Sequence, residues 1–561
     1  MALDLLVVGR GAHLMPNDSI TGMYGLGLNW LTLDPWPTSH HPDFLFQQLS
    51  APLILLGGIA RRDLSGFLWA GIALQAAFVL LAAWWMAALA QREGLRPLQV
   101  LCFGFACATM PDLLVSATTW GHYFPIGVLL PPLGLALFAI FDRDENERSQ
   151  VVLAMFGLGF VVSNYFVMLA LCIPVGLLAL HRGWRSDSAA VARWLGVTAA
   201  GRKWWISAAA IFAAANTIFP FYKAVWRAPT YQLDWQIMSY ALALSLVPAA
   251  LATILLFWFD RAGGKWDRLL QGLLSPALWG WLAGANVMSI FWMTAAVTTF
   301  LHKRGSLADM QASQQTFSAL VNPGWNLLVI AIVGVALLLA FTARTRTRWF
   351  LVLFCAGGTA ISIAIAWRLL LSHTPDSGFF GLAARFFLPA LAALAPLYLL
   401  LQRRGIATAW VTNVALVAIA CVTLVQAAQA LIPATARARA ADRELTQAVS
   451  KFLTEHPDGT VICVNAEAPE ACGFLYAWNR YRKPESLPKL SSPPVLDGRA
   501  VYAERTCADE DYRRCIPSAT RGPVALVIAS GIPGNPPGRT LARVERFGET
   551  VIVFAPAATN P

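Results

Sequence analysis

Three aspartates in polar segments of an otherwise apolar chain have the right side chain to act as a general base. They are Asp18, Asp43 and Asp112. At a membrane interface, desolvation can raise the pKa of a carboxyl group into the range where it accepts a proton usefully. Asp18 lies between Asn17 and Ser19, ahead of an apolar run, which is also typical of a helix N-cap, and the two roles are compatible. The residues by themselves therefore offer Asp18, Asp43 and Asp112 as candidate catalytic acids or bases without ranking them.

Six further residues carry groups that could bind an anionic or hydroxylated substrate. They are Arg385, Arg368, Lys223, His41, His122 and Tyr123. Because a guanidinium pairs with phosphate through two parallel hydrogen bonds, Arg385 is the strongest phosphate candidate. An arginine at the end of a span can also be an interfacial side chain that reaches for water, and a lone loop histidine is more often structural. The sequence leaves both interpretations open.

Long apolar segments must position these residues. Of the chain's residues, 57% are hydrophobic and 13% are charged, whereas an ordinary globular domain has roughly 25% charged residues. An uncharged stretch of about 20 residues is long enough to cross a bilayer. The hydropathy pattern predicts a polytopic α-helical membrane protein with about twelve spans, over residues 66–90, 97–113, 121–141, 150–163, 165–180, 204–225, 238–258, 273–300, 325–342, 349–370, 383–401 and 406–432.

The loops between these spans divide by charge. The arginine-rich set includes residues 91–96, 142–148, 181–203, 344–348 and 403–404. Because cytoplasmic loops carry the excess of Lys and Arg, this set is predicted to be cytoplasmic, and the tail after the last span is predicted to be periplasmic. These loops explain the net charge of +11 better than nucleic-acid binding does, since no soluble face concentrates basic residues among aromatic ones.

The hydropathy and charge patterns together predict three parts: an outer loop with membrane-lying helices over 1–65, a transmembrane domain over 66–432, and a small periplasmic α/β domain over 433–561. The stretch before residue 66 is predicted to be outside, yet the apolar run over 1–9 is too short to cross a bilayer. Either the chain starts downstream of the true start and lacks a first transmembrane helix, which we expect, or the N-terminal region is translocated without a span of its own.

The tail pattern indicates a helix over 435–455 and strands over 460–465, 524–530 and 550–555. Its four cysteines are Cys463, Cys472, Cys507 and Cys515. An even number of cysteines in an oxidising compartment indicates disulfides, and three pairings are open. Their spacings are too long for the ligand pairs of a zinc site, so we predict no structural metal there.

Several short motifs resemble the GT-C superfold of membrane glycosyltransferases, especially the bacterial lipid-A aminoarabinose transferases and the protein O-mannosyltransferases. Residues 17–20 (NDSI) with Tyr24 take the place of the family's Asp-Glu-x-x-Tyr opening. Residues 40–44 (HHPDF) take the place of its His-Pro-Pro-Leu stretch, and residues 385–391 (RFFLPAL) are similar to its Arg-Tyr-x-Leu-Pro-x-Leu element. The resemblance covers essentially the whole chain, although each motif is short and degenerate.

The resemblance implies an inverting transferase that moves a sugar from a polyprenyl-phosphate donor to an envelope acceptor, a lipid or a glycan, at the outer face of a bacterial inner membrane. It also implies that Asp18, which opens the outer loop, is the general base, and Asp43 and Asp112 are then candidate second acids. The chain departs from the family in two places. Ser19 stands where a Glu is common, and residues 118–122 (TTWGH) replace an acid-plus-Arg pair ahead of Tyr123. These departures leave the use of a divalent metal and the identity of the donor open.

Two other classes of function compete with this reading. The chain could be a non-enzymatic transporter or lipid flippase, or a degenerate glycosyltransferase-like scaffold of an envelope complex. The sequence contains no GxxxxGK[ST] phosphate loop, no HExxH and no GxSxG. The interiors of the predicted spans are nearly free of charge, which argues against a proton-coupled path.

Overall fold

The computed structural model describes most of the apolar helices and much of the tail. The described residues are 64–110, 123–164, 168–186, 190, 193–194, 280–281, 323–370, 384–426, 428–429, 432–464, 472, 499–503, 512–518, 520–529, 538–546 and 549–556.

The apolar runs that the structure describes form helices, as their lengths and compositions predict. In chain order they are α1 (Leu64–Arg92), α2 (Pro97–Ala108), α3 (Tyr123–Asp142), α4 (Arg148–Asn164), α5 (Leu169–Arg185), α6 (Pro323–Thr342), α7 (345–370), α8 (384–402) and α9 (Ile406–Gln426). Within the described residues, three helical stretches are long and apolar enough to cross a membrane: 73–92, 345–364 and 406–425.

Two of the helices change their winding along their length. α7 consists of Thr345–Trp349 and Gly358–Leu370, which are joined through a π-helical segment, Phe350–Gly357. α8 begins as a 3-10 helix, Ala384–Ala393, and continues as an α-helix, Leu394–Gln402.

One predicted boundary needs correction. The second predicted span, 97–113, is helical only to Ala108 in α2, and Thr109 and Met110 are described as non-helical. The last predicted span, 406–432, contains α9 and helical residues at 428–429, and α10 (Ile432–Glu455) begins at its end. Pro433 lies in the first turn of α10, where proline is well tolerated. The predicted spans 204–225, 238–258 and 273–300 lie outside the described residues, apart from 280–281.

Ion pairs join one end of the helical bundle, which we call the charged end. It contains residues 91–96, 142–148, 182, 193, 344–348 and 403–404. Its shortest pairs are Arg143–Glu93 and Arg346–Asp144, both 2.6 Å, and Arg403–Glu93, 2.9 Å. The Arg346 guanidinium donates to Asp144 and holds the pKa of that carboxyl below its ordinary value. Five of the segments that the sequence predicts on one side of the membrane therefore share one end of the bundle.

Arginines of the charged end also cap α6. Arg348 donates to the carbonyl oxygens of Ala340 and Ala343, at 3.0 and 3.3 Å. Arg404 donates to the carbonyl oxygen of Leu339 and to the hydroxyl of Thr342. The last carbonyl groups of a helix have no partner within the helix, and they carry partial negative charge. These arginines stabilise the helix end because they supply both hydrogen bonds and charge.

α3 lies at the centre of the described bundle, where it contacts α1, α4 and α8. Leu130, Leu133 and Leu137 on α3 are fully buried. Gly134 lies so close to α8 that an added Cβ atom would fall on the carbonyl oxygen of Ala392. The absence of a side chain at Gly134 therefore sets the distance between α3 and α8.

The tail is an α/β arrangement with a five-stranded sheet. Its strands are β1 (Thr460–Val464), β2 (Ala500–Ala503), β3 (Val524–Ala529), β4 (Gly538–Arg546) and β5 (Glu549–Pro556). The order across the sheet is β2-β1-β3-β5-β4. β1 runs parallel to β2 and β3, whereas β5 runs antiparallel to β3 and β4. The strands predicted over 460–465, 524–530 and 550–555 are β1, β3 and β5, and the helix predicted over 435–455 is α10.

Alternation along the strands gives the sheet two apolar faces. One face packs against α10, where Leu445 and Val449 meet Val461 and Val553. The opposite face includes Ile462, Leu526 and Phe554. Cys463 near the end of β1 is disulfide-bonded to Cys472, and Cys515 is also disulfide-bonded. The structure therefore selects among the three pairings that the sequence leaves open.

Candidate functional site

The structure describes the backbone of three candidate site residues. Tyr123 is the first residue of α3, Arg385 is the second residue of α8, and Arg368 lies near the last residue of α7. The other candidates, which are Asp18, Asp43, Asp112, His41, His122 and Lys223, lie outside the described residues, so their assignments stay predictions.

The three described candidates lie at helix ends that point away from the charged end. α3 runs toward the charged end, because its last residue, Asp142, accepts a hydrogen bond of 2.8 Å from Thr347. α8 also runs toward it, since Arg403 directly after α8 pairs with Glu93. α7 begins at the charged end and runs away from it, so Arg368 is carried to the opposite end. We call this opposite end of the bundle the uncharged end because, among the described residues, it lacks the charged loops of the other end; Arg368 and Arg385 are placed there on helix ends.

The contact between Gly134 and Ala392 fixes the heights of α3 and α8 relative to each other. At 1.5 Å per residue, Tyr123 begins α3 about 16 Å before that contact. At 2.0 Å per residue in the 3-10 segment, Arg385 begins α8 about 14 Å before it. Two adjacent, parallel elements thus bring a tyrosine and an arginine to nearly the same height at the uncharged end. α7, which carries Arg368, also contacts the 3-10 segment of α8.

α7, which bears Arg368, and α8, which bears Arg385, each contain a segment that departs from α-helical geometry. Pro389 lies inside the 3-10 segment of α8 and has no backbone N–H to donate to the preceding turn. π segments inside α-helices are rare and occur often at functional sites. Both irregular segments occur in the elements that bear Arg368 and Arg385.

Gln75 on α1 is a polar residue that sequence reasoning missed. Its side chain is 3% exposed, and neither its amide nitrogen nor its amide oxygen has a hydrogen-bond partner among the described residues. The sequence did contain a signal, because Gln75 is the one polar side chain in the apolar run 66–90. Polar residues inside membrane spans are expensive and often functional.

A second amide cluster serves as a contrast because its groups are paired. Near the charged end, Gln99 donates to the amide oxygen of Gln402 at 2.6 Å. The Tyr398 hydroxyl donates to Asn413 at 2.6 Å, and Gln402 donates to the same oxygen at 3.3 Å. These bonds join α2, α8 and α9 and have a structural role.

Neither the charged end nor the tail offers a rival catalytic arrangement within the described residues. The described part of the chain contains no group of three or more His, Cys, Asp or Glu side chains placed to bind a metal ion. The buried acid of the charged end, Glu93, is paired with Arg143 and Arg403, and Asp144 is paired with Arg346. The described tail cysteines are in disulfides, which removes them as nucleophiles.

Comparison with known proteins gives one structural match. No family model matches the chain, and no curated protein matches it. The crystal structure of ArnT from Cupriavidus metallidurans bound to undecaprenyl phosphate matches over 100% of this chain and 98% of that chain. The sequence identity is 13% and the TM-score is 0.34. At that TM-score the match carries no argument about this chain, and the candidate site is defined by the chain's own helices and residues.

Proposed function

We propose that the chain is a GT-C-type membrane glycosyltransferase that moves a sugar from a polyprenyl-phosphate donor to a lipid or glycan acceptor of the bacterial envelope. The observation that carries the proposal is the common height of Tyr123 and Arg385 at the uncharged end. Arg385 opens the element that resembles the family's Arg-Tyr-x-Leu-Pro-x-Leu motif, and the charged end opposite it has the arginine excess of a cytoplasmic face. Transfer would therefore take place on the periplasmic side.

The proposed reaction is a displacement with inversion at the anomeric carbon of the sugar. An acceptor hydroxyl oxygen forms the new bond to that carbon, and the bond from the carbon to the phosphate oxygen breaks. Asp18 takes the proton of the hydroxyl, and Asp43 and Asp112 are the reserve candidates for this role. The polyprenyl phosphate leaves as an anion, which Arg385 neutralises, with Arg368 and Lys223 as further cationic groups. His41, His122 and Tyr123 would orient the acceptor or the phosphate.

The first test is mass spectrometry of envelope lipids and glycans from a deletion strain that expresses the wild-type chain or Asp18→Asn. Removing a general base is expected to lower the transfer by about 100-fold or more. Asp34→Asn is the matched control, because Asp34 precedes Pro35 and has the pattern of a turn residue. We expect the control to restore the sugar addition and Asp18→Asn to leave it absent at equal expression.

Other outcomes of this experiment identify other functions. If Asp18→Asn and the wild type restore the product equally, the base is Asp43 or Asp112, and Asp18 is a helix cap. If deletion changes no lipid or glycan, the transferase proposal is wrong and a transporter, a flippase or a scaffold role is favoured. Undecaprenyl phosphate, the lipid in the ArnT structure, is a suitable first probe of binding to the purified chain.

A further inference from the structure

The orphaned amide of Gln75 faces the interior of a membrane bundle. Leu74 and Phe78 beside it are also buried, so Gln75 belongs to the buried stripe of α1. The hydrocarbon core of a bilayer supplies no water to pair with a buried amide, and such groups are costly to leave unpaired. An amide in this position needs a partner that is absent from the described residues.

Two independent contacts fix the height of Gln75. The Glu93–Arg143 pair joins the charged ends of α1 and α3. At 1.5 Å per residue, Gln75 lies about 26 Å from Arg92, whereas the full length of α3 back to Tyr123 is about 29 Å. Gln75 is therefore level with the first turn of α3.

The second contact gives the same height. Phe78 stacks on Phe160 of α4 with ring centroids 5.9 Å apart. Gln75 is one turn farther from the charged end than Phe78, and Asn164 is one turn farther than Phe160. Gln75 is thus level with Asn164, which ends α4. The orphaned amide lies at the uncharged end, at the height of Tyr123 and Arg385.

We propose that the carboxamide of Gln75 binds a hydroxyl group of the sugar on the polyprenyl-phosphate donor. The hydrogen-bonding capacity of the two unpaired amide atoms favours a hydroxyl group as the partner. The amide nitrogen must donate and the amide oxygen must accept. A sugar hydroxyl can satisfy both atoms, whereas an ionised phosphate has no proton to offer the amide oxygen. The inference rests on the proposed transferase function. It adds Gln75 as a residue that recognises the sugar of the donor and does not recognise the lipid phosphate.

The test compares two glutamine-to-methionine variants in detergent-purified protein. Gln75→Met removes the orphaned amide and keeps a similar volume. Gln402→Met removes a hydrogen-bonded amide at the charged end and is the matched control. Thermal unfolding is followed without lipid, with undecaprenyl phosphate, and with undecaprenyl phosphates that carry glucose, mannose or aminoarabinose. Dissociation constants are measured for the lipid that stabilises the wild-type chain most.

We expect Gln75→Met to keep or raise the Tm without lipid, because no protein hydrogen bond is lost. Gln402→Met should lower the Tm. Gln75→Met should bind bare undecaprenyl phosphate as the wild type does and bind the sugar-bearing lipid about 30-fold more weakly, as expected for two lost hydrogen bonds of ordinary net strength. Gln402→Met should bind both lipids as the wild type does.

Three outcomes would overturn the inference, and they are distinguishable. If Gln75→Met lowers the Tm as much as Gln402→Met, the amide of Gln75 has a partner within the protein. If the variant loses affinity for bare and sugar-bearing lipid alike, Gln75 binds phosphate or lipid and does not read the sugar. If no polyprenyl phosphate stabilises the wild-type chain, the proposed function itself fails, and this inference fails with it.

Discussion

At the scale of the residue, Glu93 shows how a single side chain can organise distant parts of the chain. Its side chain is 7% exposed, and its carboxylate accepts hydrogen bonds from Arg143 and Arg403, which come from separate loops. Exposed ion pairs contribute little to stability, but removing one partner of a buried pair leaves uncompensated charge. Glu93 is therefore expected to contribute more to the free energy of unfolding than the exposed acids of the charged end do.

We expect Glu93→Gln to lower the free energy of unfolding by about 2 kcal/mol, a value between those for exposed and for buried pairs, because both arginines remain half-exposed. Thermal unfolding in detergent measures the effect. Glu147→Gln is the matched control, since Glu147 is 69% exposed and lies 3.5 Å from Arg92. Equal Tm values for the two variants would mean that Glu93 is no more important than a surface acid.

At the scale of the element, the contact between α3 and α8 determines where the candidate site residues lie. Gly134 allows the backbone of α3 to approach that of α8 at Ala392, and no larger residue fits there. The same two elements carry Tyr123 and Arg385 at their starts. Because packed helices move as rigid units, a change at this contact is transmitted to the uncharged end.

Gly134→Ala is therefore expected to destabilise the protein by about 3 kcal/mol, since overpacking against backbone cannot be relieved by a rotamer change. It should also lower the proposed sugar transfer, because α3 and α8 are forced apart. Gly104→Ala is the control: among the described residues, no atom outside its own helix backbone lies within 4 Å of its added Cβ, and alanine favours the helix by about 1 kcal/mol. Thermal unfolding and transfer activity would be measured for both variants. A Gly134→Ala protein as stable as Gly104→Ala would contradict the close approach of α3 and α8.

At the scale of the whole molecule, charge and disulfides agree with the proposed orientation across the membrane. The arginine-rich segments gather at the charged end, as expected of a cytoplasmic face. The tail contains the Cys463–Cys472 disulfide and a disulfide-bonded Cys515, which are typical of an oxidising compartment. Because successive helices run in opposite directions through the bundle, the charged end can face the cytoplasm while the tail lies in the periplasm.

This orientation can be tested with alkaline phosphatase fusions in bacteria, because the enzyme is active only where its disulfides form. A fusion after Pro561 is expected to be active, and a fusion after Glu147 at the charged end is expected to be inactive. Immunoblots of both fusions control for expression. The reverse pattern would put the uncharged end in the cytoplasm and rule out transfer on the periplasmic side.

The sequence by itself determined the apolar helices, the grouping of charged loops and the strands β1, β3 and β5. Hydropathy and strand patterns depend on local composition, which each segment carries without its neighbours. Only the tertiary structure decided that Glu93 pairs with two arginines, that Gly134 sets the α3–α8 distance, that Cys463 pairs with Cys472, and that Gln75 is buried with no hydrogen-bond partner among the described residues. These features depend on which side chains from distant segments meet, and local sequence does not encode distance between segments.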